Sequence, residues 1–202
     1  VDTLLRTAET DRERAALLHE KGDLLQGAGK SEGALEAYQE ALKYDPDDWI
    51  SLNNVAYLLS DLRGASEQAL PFAERAVKAE ENAFTLDTLA LVSQERADRA
   101  IREGRFDKSL VTVYNPDGTV ALDREEFPRP ETTAEGLAGL KASFDGIADF
   151  DLGGGVTFRK QIQRRYPDLN WKGVHHAGNS SGVVDGAGAV LIASKAYADK
   201  HG

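Results

Sequence analysis

A chain of 202 residues, 41% of them hydrophobic, is long enough for one compact domain or two small ones. Its formal net charge of −10 and pI of about 4.9 argue against a nonspecific grip on a phosphate backbone, which needs a basic face, so nucleic acid is not expected as a partner. The absence of cysteine excludes disulfides, thiolate metal sites and a cysteine nucleophile within these residues.

From Thr10 to about Ala79 the chain is rich in Ala, Leu, Glu and Lys, with apolar residues at three- and four-residue steps, which predicts helices. Leu17, Leu18, Leu24 and Leu25 mark one helix face, Gly27 and Gly29 punctuate it, and Ala34, Leu35, Tyr38, Ala41 and Leu42 mark the next. Asp45 and Pro46 end that second helix, since proline cannot continue the ladder and biases the residue before it toward extended backbone. A similar unit follows about 34 residues on, with Trp49, Leu52, Val55, Ala56 and Leu59, a turn at Arg63 and Gly64, then Ala69, Ala73 and Ala76.

This helix-turn-helix pair resembles the tetratricopeptide repeat. Leu18, Gly22, Leu25, Ala34, Tyr38, Ala41 and Pro46 stand at that family's signature spacing, and the second unit follows it more loosely. An ordinary pair of helical hairpins is the alternative, with similar packing physics. The resemblance implies a surface that binds a peptide or protein partner. A third first-helix is predicted from near Ala83, with Leu86, Leu89 and Ala90 at suitable sites. It is expected both to cap the repeats and to open the next segment.

Past Arg105 the Ala-rich pattern stops. Val111 to Tyr114 reads as a short strand running into a turn at Asn115 to Gly118, and residues 123–135 read as an extended loop. Thr133 is predicted to cap a short helix through Phe144, with Glu135 in its first turn, and 145–156 to be a loop. Phe158 to Tyr166 reads as a basic helix stopped by Pro167, and Ala189 to Ala193 as a strand covered on both faces. This short half cannot supply such cover, so it is expected to be the less ordered one.

The stretch from His176 through Ala177, Gly178, Asn179, Ser180, Ser181 and Gly182 to Leu191 resembles the thiolase segment that returns from the loop domain to the core. Leu86 to Ala97, Glu103 to Asp107, Glu125 to Arg129 and Leu137 to Asp145 resemble parts of the thiolase loop domain that precede it. The resemblance implies a coenzyme A site, with Ser181 matching the serine that contacts the pantetheine amide and Arg129 matching the arginine that packs on adenine. The backbone from Ala177 to Ser181 would line the pantetheine tunnel, and Gly136 stands where many thiolases carry an adenine-contacting serine.

Thiolase chemistry uses a cysteine to accept the acyl group, a histidine to activate it and a second cysteine to move the proton. None of those motifs occurs in these residues, so no catalytic residue is assigned and acyl transfer by this chain alone is not expected. The expectation is a mainly α protein with a small α/β part. Tetratricopeptide-like hairpins occupy 1–85 and an incomplete thiolase-like segment 86–202, a hybrid from a fused or misassembled frame or from recombination. A binding scaffold for a peptide or an acyl carrier, with no acyl-CoA role, is the alternative.

Adjacent His175 and His176 would point to opposite faces of a strand, one to solvent and one to packing, so no metal is predicted. Asp185 and Gly186 read as a turn cap, Gly153 to Gly155 lack the ending of a phosphate loop, and Arg159, Lys160, Arg164 and Arg165 read most simply as a solvated basic face, the alternative being a patch that attracts the phosphates of coenzyme A or an acidic partner. No apolar run reaches the roughly 20 residues of a membrane span, and no signal-like N-terminus is present, so a cytoplasmic location is expected.

Overall fold

A computed structural model describes residues 1–169, 172–182 and 192–201. After a single turn, α1 (Asp2–Leu5), helix α2 (Asp11–Gly27) starts at a capping box. Thr10 Oγ1 accepts from the Glu13 amide at 3.2 Å, and the Glu13 carboxylate accepts from the Thr10 amide at 3.2 Å, so two orphan donors are satisfied together. Helix α3 (Ser31–Tyr44) stops at Asp45, whose φ of −131° and ψ of 91° are the extended values that a following proline enforces. Asp48 caps α4 (Trp49–Arg63) by accepting from the Ile50 and Ser51 amides at 3.3 Å each. Gly64 ends α4 with a left-handed φ of 53°, freeing its own amide and that of Ala65 to reach back to Ser60 and Leu59. Helix α5 (Ser66–Ala79) and helix α6 (Ala83–Arg102) follow, the latter started by a box between Asn82 and Thr85.

These helices stack in chain order, α2 on α3, α3 on α4, α4 on α5, and α6 against both α4 and α5. One apolar core runs through the stack: Ala34, Leu35 and Tyr38 from α3, Val55, Ala56, Leu58 and Leu59 from α4, Ala69 and Ala73 from α5, and Val92 from α6. Alanines at the crossings let backbones approach, while Tyr38 and the leucines fill the space between. Tyr38 lies over Gly22, where an added Cβ would stand 2.6 Å from the ring's Cδ1, so this position of α2 admits no side chain without movement. Helix α6 belongs to this core and also carries the first thiolase-like residues, so residue 86 falls inside one continuous helix.

Beyond α6, among the described residues, only Leu137, Ala148 and His176 are buried. The predicted strand is shorter than Val111 to Tyr114. It forms β1 (Val113–Tyr114), paired antiparallel with β2 (Val120–Leu122), a strand that the sequence did not announce. The pairing sets Val113 opposite Leu122 and Tyr114 opposite Val120, across the turn at Asn115 to Gly118. All of these side chains are exposed, so hydrogen bonding and turn chemistry hold the hairpin rather than burial.

Three further expectations are corrected. Thr133 does cap α7 (Ala134–Ala138), accepting from the Gly136 amide at 3.0 Å, but the helix stops at Gly139 instead of continuing to Phe144. Gly136 and Gly139 within one turn deprive it of helix-forming residues. The stretch 145–156, expected as loop throughout, contains α8 (Asp145–Ala148). Of the strand expected at Ala189 to Ala193, residues 189–191 lie outside the described residues, and Ile192 and Ala193 carry no strand. Helix α9 (Phe158–Arg165) ends just before Pro167, and α10 (Lys195–His201) follows. Among the described residues no helix is long and apolar enough to cross a membrane.

Candidate functional site

Two irregular segments are pinned against α6 and α7, and the space they leave is the candidate site. The first is the extended stretch before α7. The Gln94 side chain of α6 accepts the Arg129 amide at 2.7 Å, and the Arg129 carbonyl accepts from the Thr132 amide at 3.0 Å and its hydroxyl at 2.7 Å. Arg129 is thereby fixed by its backbone, while its guanidinium makes no hydrogen bond or ion pair among the described residues and is exposed.

The second segment runs from Gly173 to Gly182. The Ser143 amide donates to the His175 carbonyl at 2.9 Å, and the Gly173 amide donates to Asp145 Oδ1 at 3.1 Å. Its anchor is Asp87 of α6, whose Oδ1 lies 2.9 Å from His176 Nε2 and accepts from Asn179 Nδ2 at 2.8 Å. Asn179 also donates to the Val174 carbonyl at 3.0 Å and accepts the His176 amide at 2.8 Å, and His176 Nδ1 accepts the Gly178 amide at 3.2 Å. His176 Nδ1 thus faces the Gly178 amide, and Nε2 faces the Asp87 carboxylate with Asn179 Nδ2 3.2 Å away. This small network closes the loop 176–179 and clamps it to the helical stack.

The clamped loop then lies close against α7. A Cβ on Gly178 would come within 2.9 Å of Leu140 Cδ1, and one on Gly182 would run into the Phe127 ring. The resulting cleft, about 590 Å³, is lined by Arg129, Ala177 and Ser181 together, with Gly136, Phe127 and Leu140 among their neighbours. The three residues singled out in the sequence therefore meet in one place. Arg129 and Glu131 are the charged residues of this lining among the described residues. A planar cation, a hydroxyl and small-residue backbone can hold an amide-bearing chain and a flat heterocycle, but they offer no thiolate to attack a thioester.

The sequence did not announce Gln94 or Asp87 as positioning residues. Both lie within the thiolase-like stretch around α6, but their partners are 35 and 92 residues away, and no local pattern marks such a pairing. The two adjacent histidines diverge as expected: His175 is half exposed and 3.7 Å from Glu81, and His176 is packed against Asp87. In the basic helix, Arg159 pairs with Asp149 at 2.6 Å, Lys160 donates to the Gly155 carbonyl at 2.6 Å, and Arg165 lies over the Tyr166 ring. The Arg159 hydrogen bond holds the Asp149 carboxyl below its usual range, although the pair is at the surface. Asp185 and Gly186 lie outside the described residues.

Residues 72–149 match the family described as thiolase, N-terminal domain. The chain is 37% identical over 114 residues to a probable acetyl-CoA acetyltransferase of Escherichia coli (strain K12), a stretch covering 55% of this chain and 23% of that protein. It is 36% identical over 123 residues to a peroxisomal 3-ketoacyl-CoA thiolase of Homo sapiens, covering 57% and 23%. With a mitochondrial 3-ketoacyl-CoA thiolase of Bos taurus it shares 32% over 145 residues, 71% of this chain and 30% of that one. About half of the chain is thus thiolase-like, and it spans less than a third of the length of these relatives. The matched span opens inside α5, upstream of residue 86.

Proposed function

We propose that this chain is a coenzyme-A-binding, thiolase-like piece carried on a tetratricopeptide-type helical stack, and that it does not catalyse acyl transfer alone. One observation carries the coenzyme reading: Arg129, Ala177 and Ser181, matched separately to a coenzyme site, line a single cleft of about 590 Å³. In this reading the Arg129 guanidinium stacks on the adenine and attracts phosphate, the Ser181 hydroxyl bonds a pantetheine amide, and the Ala177 backbone lets the arm pass closely. Inactivity follows from the missing sulfur, since none of the 202 residues is a cysteine that could hold an acyl group.

Calorimetric titration with coenzyme A tests this. Saturable binding is expected, weakened about fivefold in Arg129→Ala, the loss of one stacking contact of roughly 1 kcal/mol. Ser181→Ala is expected to weaken it by a similar factor, through one hydrogen bond of about 1 kcal/mol. Absence of heat at millimolar ligand defeats the coenzyme reading, and any thioester turnover above buffer defeats the inactivity.

A second reading, a peptide- or protein-binding scaffold with no acyl-CoA role, is favoured by where the core lies. Except for Leu137 and Ala148, the buried apolar side chains of the described residues belong to the helices up to α6. The packing of Tyr38 over Gly22 in the first unit supports a tetratricopeptide-type stack. Retention of a defined peptide partner by the intact chain, with no response to coenzyme A, would select it.

A further inference from the structure

One side chain of α6 belongs both to the scaffold of the coenzyme cleft and to its wall. The Gln94 side-chain oxygen accepts the Arg129 amide at 2.7 Å, and only an oxygen can face that N–H, so the carboxamide is held one way round and its NH2 group is fixed with it. Among the described residues this nitrogen has no hydrogen-bond partner, and it is not one of the side-chain atoms sealed from water. Gln94 is half-buried and lines the cleft together with Arg129 and Gly136.

An oriented donor that the fold leaves unused and open marks a place for an acceptor on the ligand, because its orientation is set before binding. The neighbouring groups narrow what that acceptor is. The Thr132 hydroxyl is spent on the Arg129 carbonyl at 2.7 Å, and Gly136 brings no side chain to the cleft. A flat base lying on the Arg129 guanidinium carries its ring nitrogens at its edge, in the plane of the ring, where neither the stacked cation nor Gly136 supplies a side-chain donor. A neutral amide matches such a neutral nitrogen, whereas phosphate oxygens are better partners for a guanidinium.

We propose that Gln94 is a base-reading residue of the coenzyme site, its Nε2 donating to a ring nitrogen of the adenine while its oxygen holds Arg129 in place. This role rests on the coenzyme reading and adds to it a residue that nothing in the resemblance assigned. One carboxamide fixes the backbone of the stacking residue and reads the edge of the base stacked on it, so the cleft selects a nitrogen heterocycle over other flat rings of that size.

The test uses the full chain and two probes. Coenzyme A is followed by calorimetry, and purine riboside, which is uncharged and has ring nitrogens but no amino group, by chemical-shift titration. Gln94→Glu keeps the oxygen that faces the Arg129 amide and removes the donor, and Gln94→Met removes both. Purine riboside is expected to bind about fivefold more weakly to each variant, and coenzyme A about fivefold more weakly to Gln94→Met, with far-UV dichroism unchanged. The riboside has neither a charge nor an amino group for the new carboxylate to act on, so weaker binding to Gln94→Glu reports the missing donor itself. Purine riboside bound equally by the parent and by Gln94→Glu would show that the side chain acts only by holding Arg129, and overturns the proposal. Coenzyme A binding that is not weakened in Gln94→Met, or that comes with no saturable riboside response, overturns it as well. In each of these cases coenzyme A still binds the parent and the coenzyme reading survives; a parent that binds no coenzyme A defeats both.

Discussion

Replacing Gly22 by alanine pits helix propensity against packing, and the structure decides the sign. In an isolated helix the change is favourable by about 1 kcal/mol, because glycine loses more backbone freedom on folding. Here the new methyl would sit 2.6 and 2.7 Å from Cδ1 and Cζ of Tyr38, about 1 Å inside an ordinary carbon contact of roughly 3.5–4.0 Å. The ring cannot simply recede. Tyr38 is fully buried in the core, its hydroxyl donates to Asp23 Oδ1 at 2.7 Å with Gln26 3.0 Å away, and His19 meets its ring edge-on at 5.9 Å. Overpacking of this kind costs roughly 1–3 kcal/mol, and a displaced hydroxyl adds about 1 kcal/mol for its strained hydrogen bond. After the propensity gain, a net loss of about 1–3 kcal/mol is expected. Urea unfolding followed by far-UV dichroism measures it. Gly27→Ala is the internal control: it lies at the end of the same helix with no heavy atom within 4 Å of the added Cβ, and should be neutral or slightly stabilising. A Gly22→Ala protein as stable as the parent would show that Tyr38 does not press on α2.

The His19 contact gives the helical stack a pH dependence. Its pKa is raised chiefly by the hydrogen bond to Asp48, opposed by burial and helped by Asp23, so its stabilisation is complete below the unfolded value of about 6.5 and is lost as pH rises through the folded one. Urea midpoints should therefore fall between about pH 6 and pH 8, and His19→Gln should flatten that slope. Burial pushes the Asp48 carboxyl up, but hydrogen bonds from His19 and Ser51 outweigh it and leave the pKa lowered, so its contribution is present above about pH 4 and is lost as pH falls through the folded value. Asp48→Ala removes both the α4 cap and the His19 partner and should cost about 1–2 kcal/mol in the same assay. Gly182→Ala should displace the Phe127 ring from the cleft and weaken coenzyme A about tenfold in calorimetry, while leaving helical dichroism unchanged.

Much of the helical half was legible because its signals act within a few residues. The stop at Asp45 and Pro46 and the turn at Gly64 each satisfy or block backbone groups locally, and the structure uses both. The later half was read less well. Thr133 was correctly identified as a cap, but whether α7 outlasts Gly139 depends on a balance of weak preferences, and β2 has no register until β1 pairs with it.

The amino-acid order alone determined which chemistry is absent, since a chain with no sulfur-bearing side chain has no thiolate whatever its fold. It also determined the stacked helices, whose contacts join neighbours in sequence. Only the tertiary structure decided that Arg129 and Ser181 share a cleft. Such meetings depend on clamps like Asp87 with Asn179, which span 92 residues. Closing a loop of that length costs entropy that no local pattern offsets, so the contact forms only once the helices on which it rests are in place.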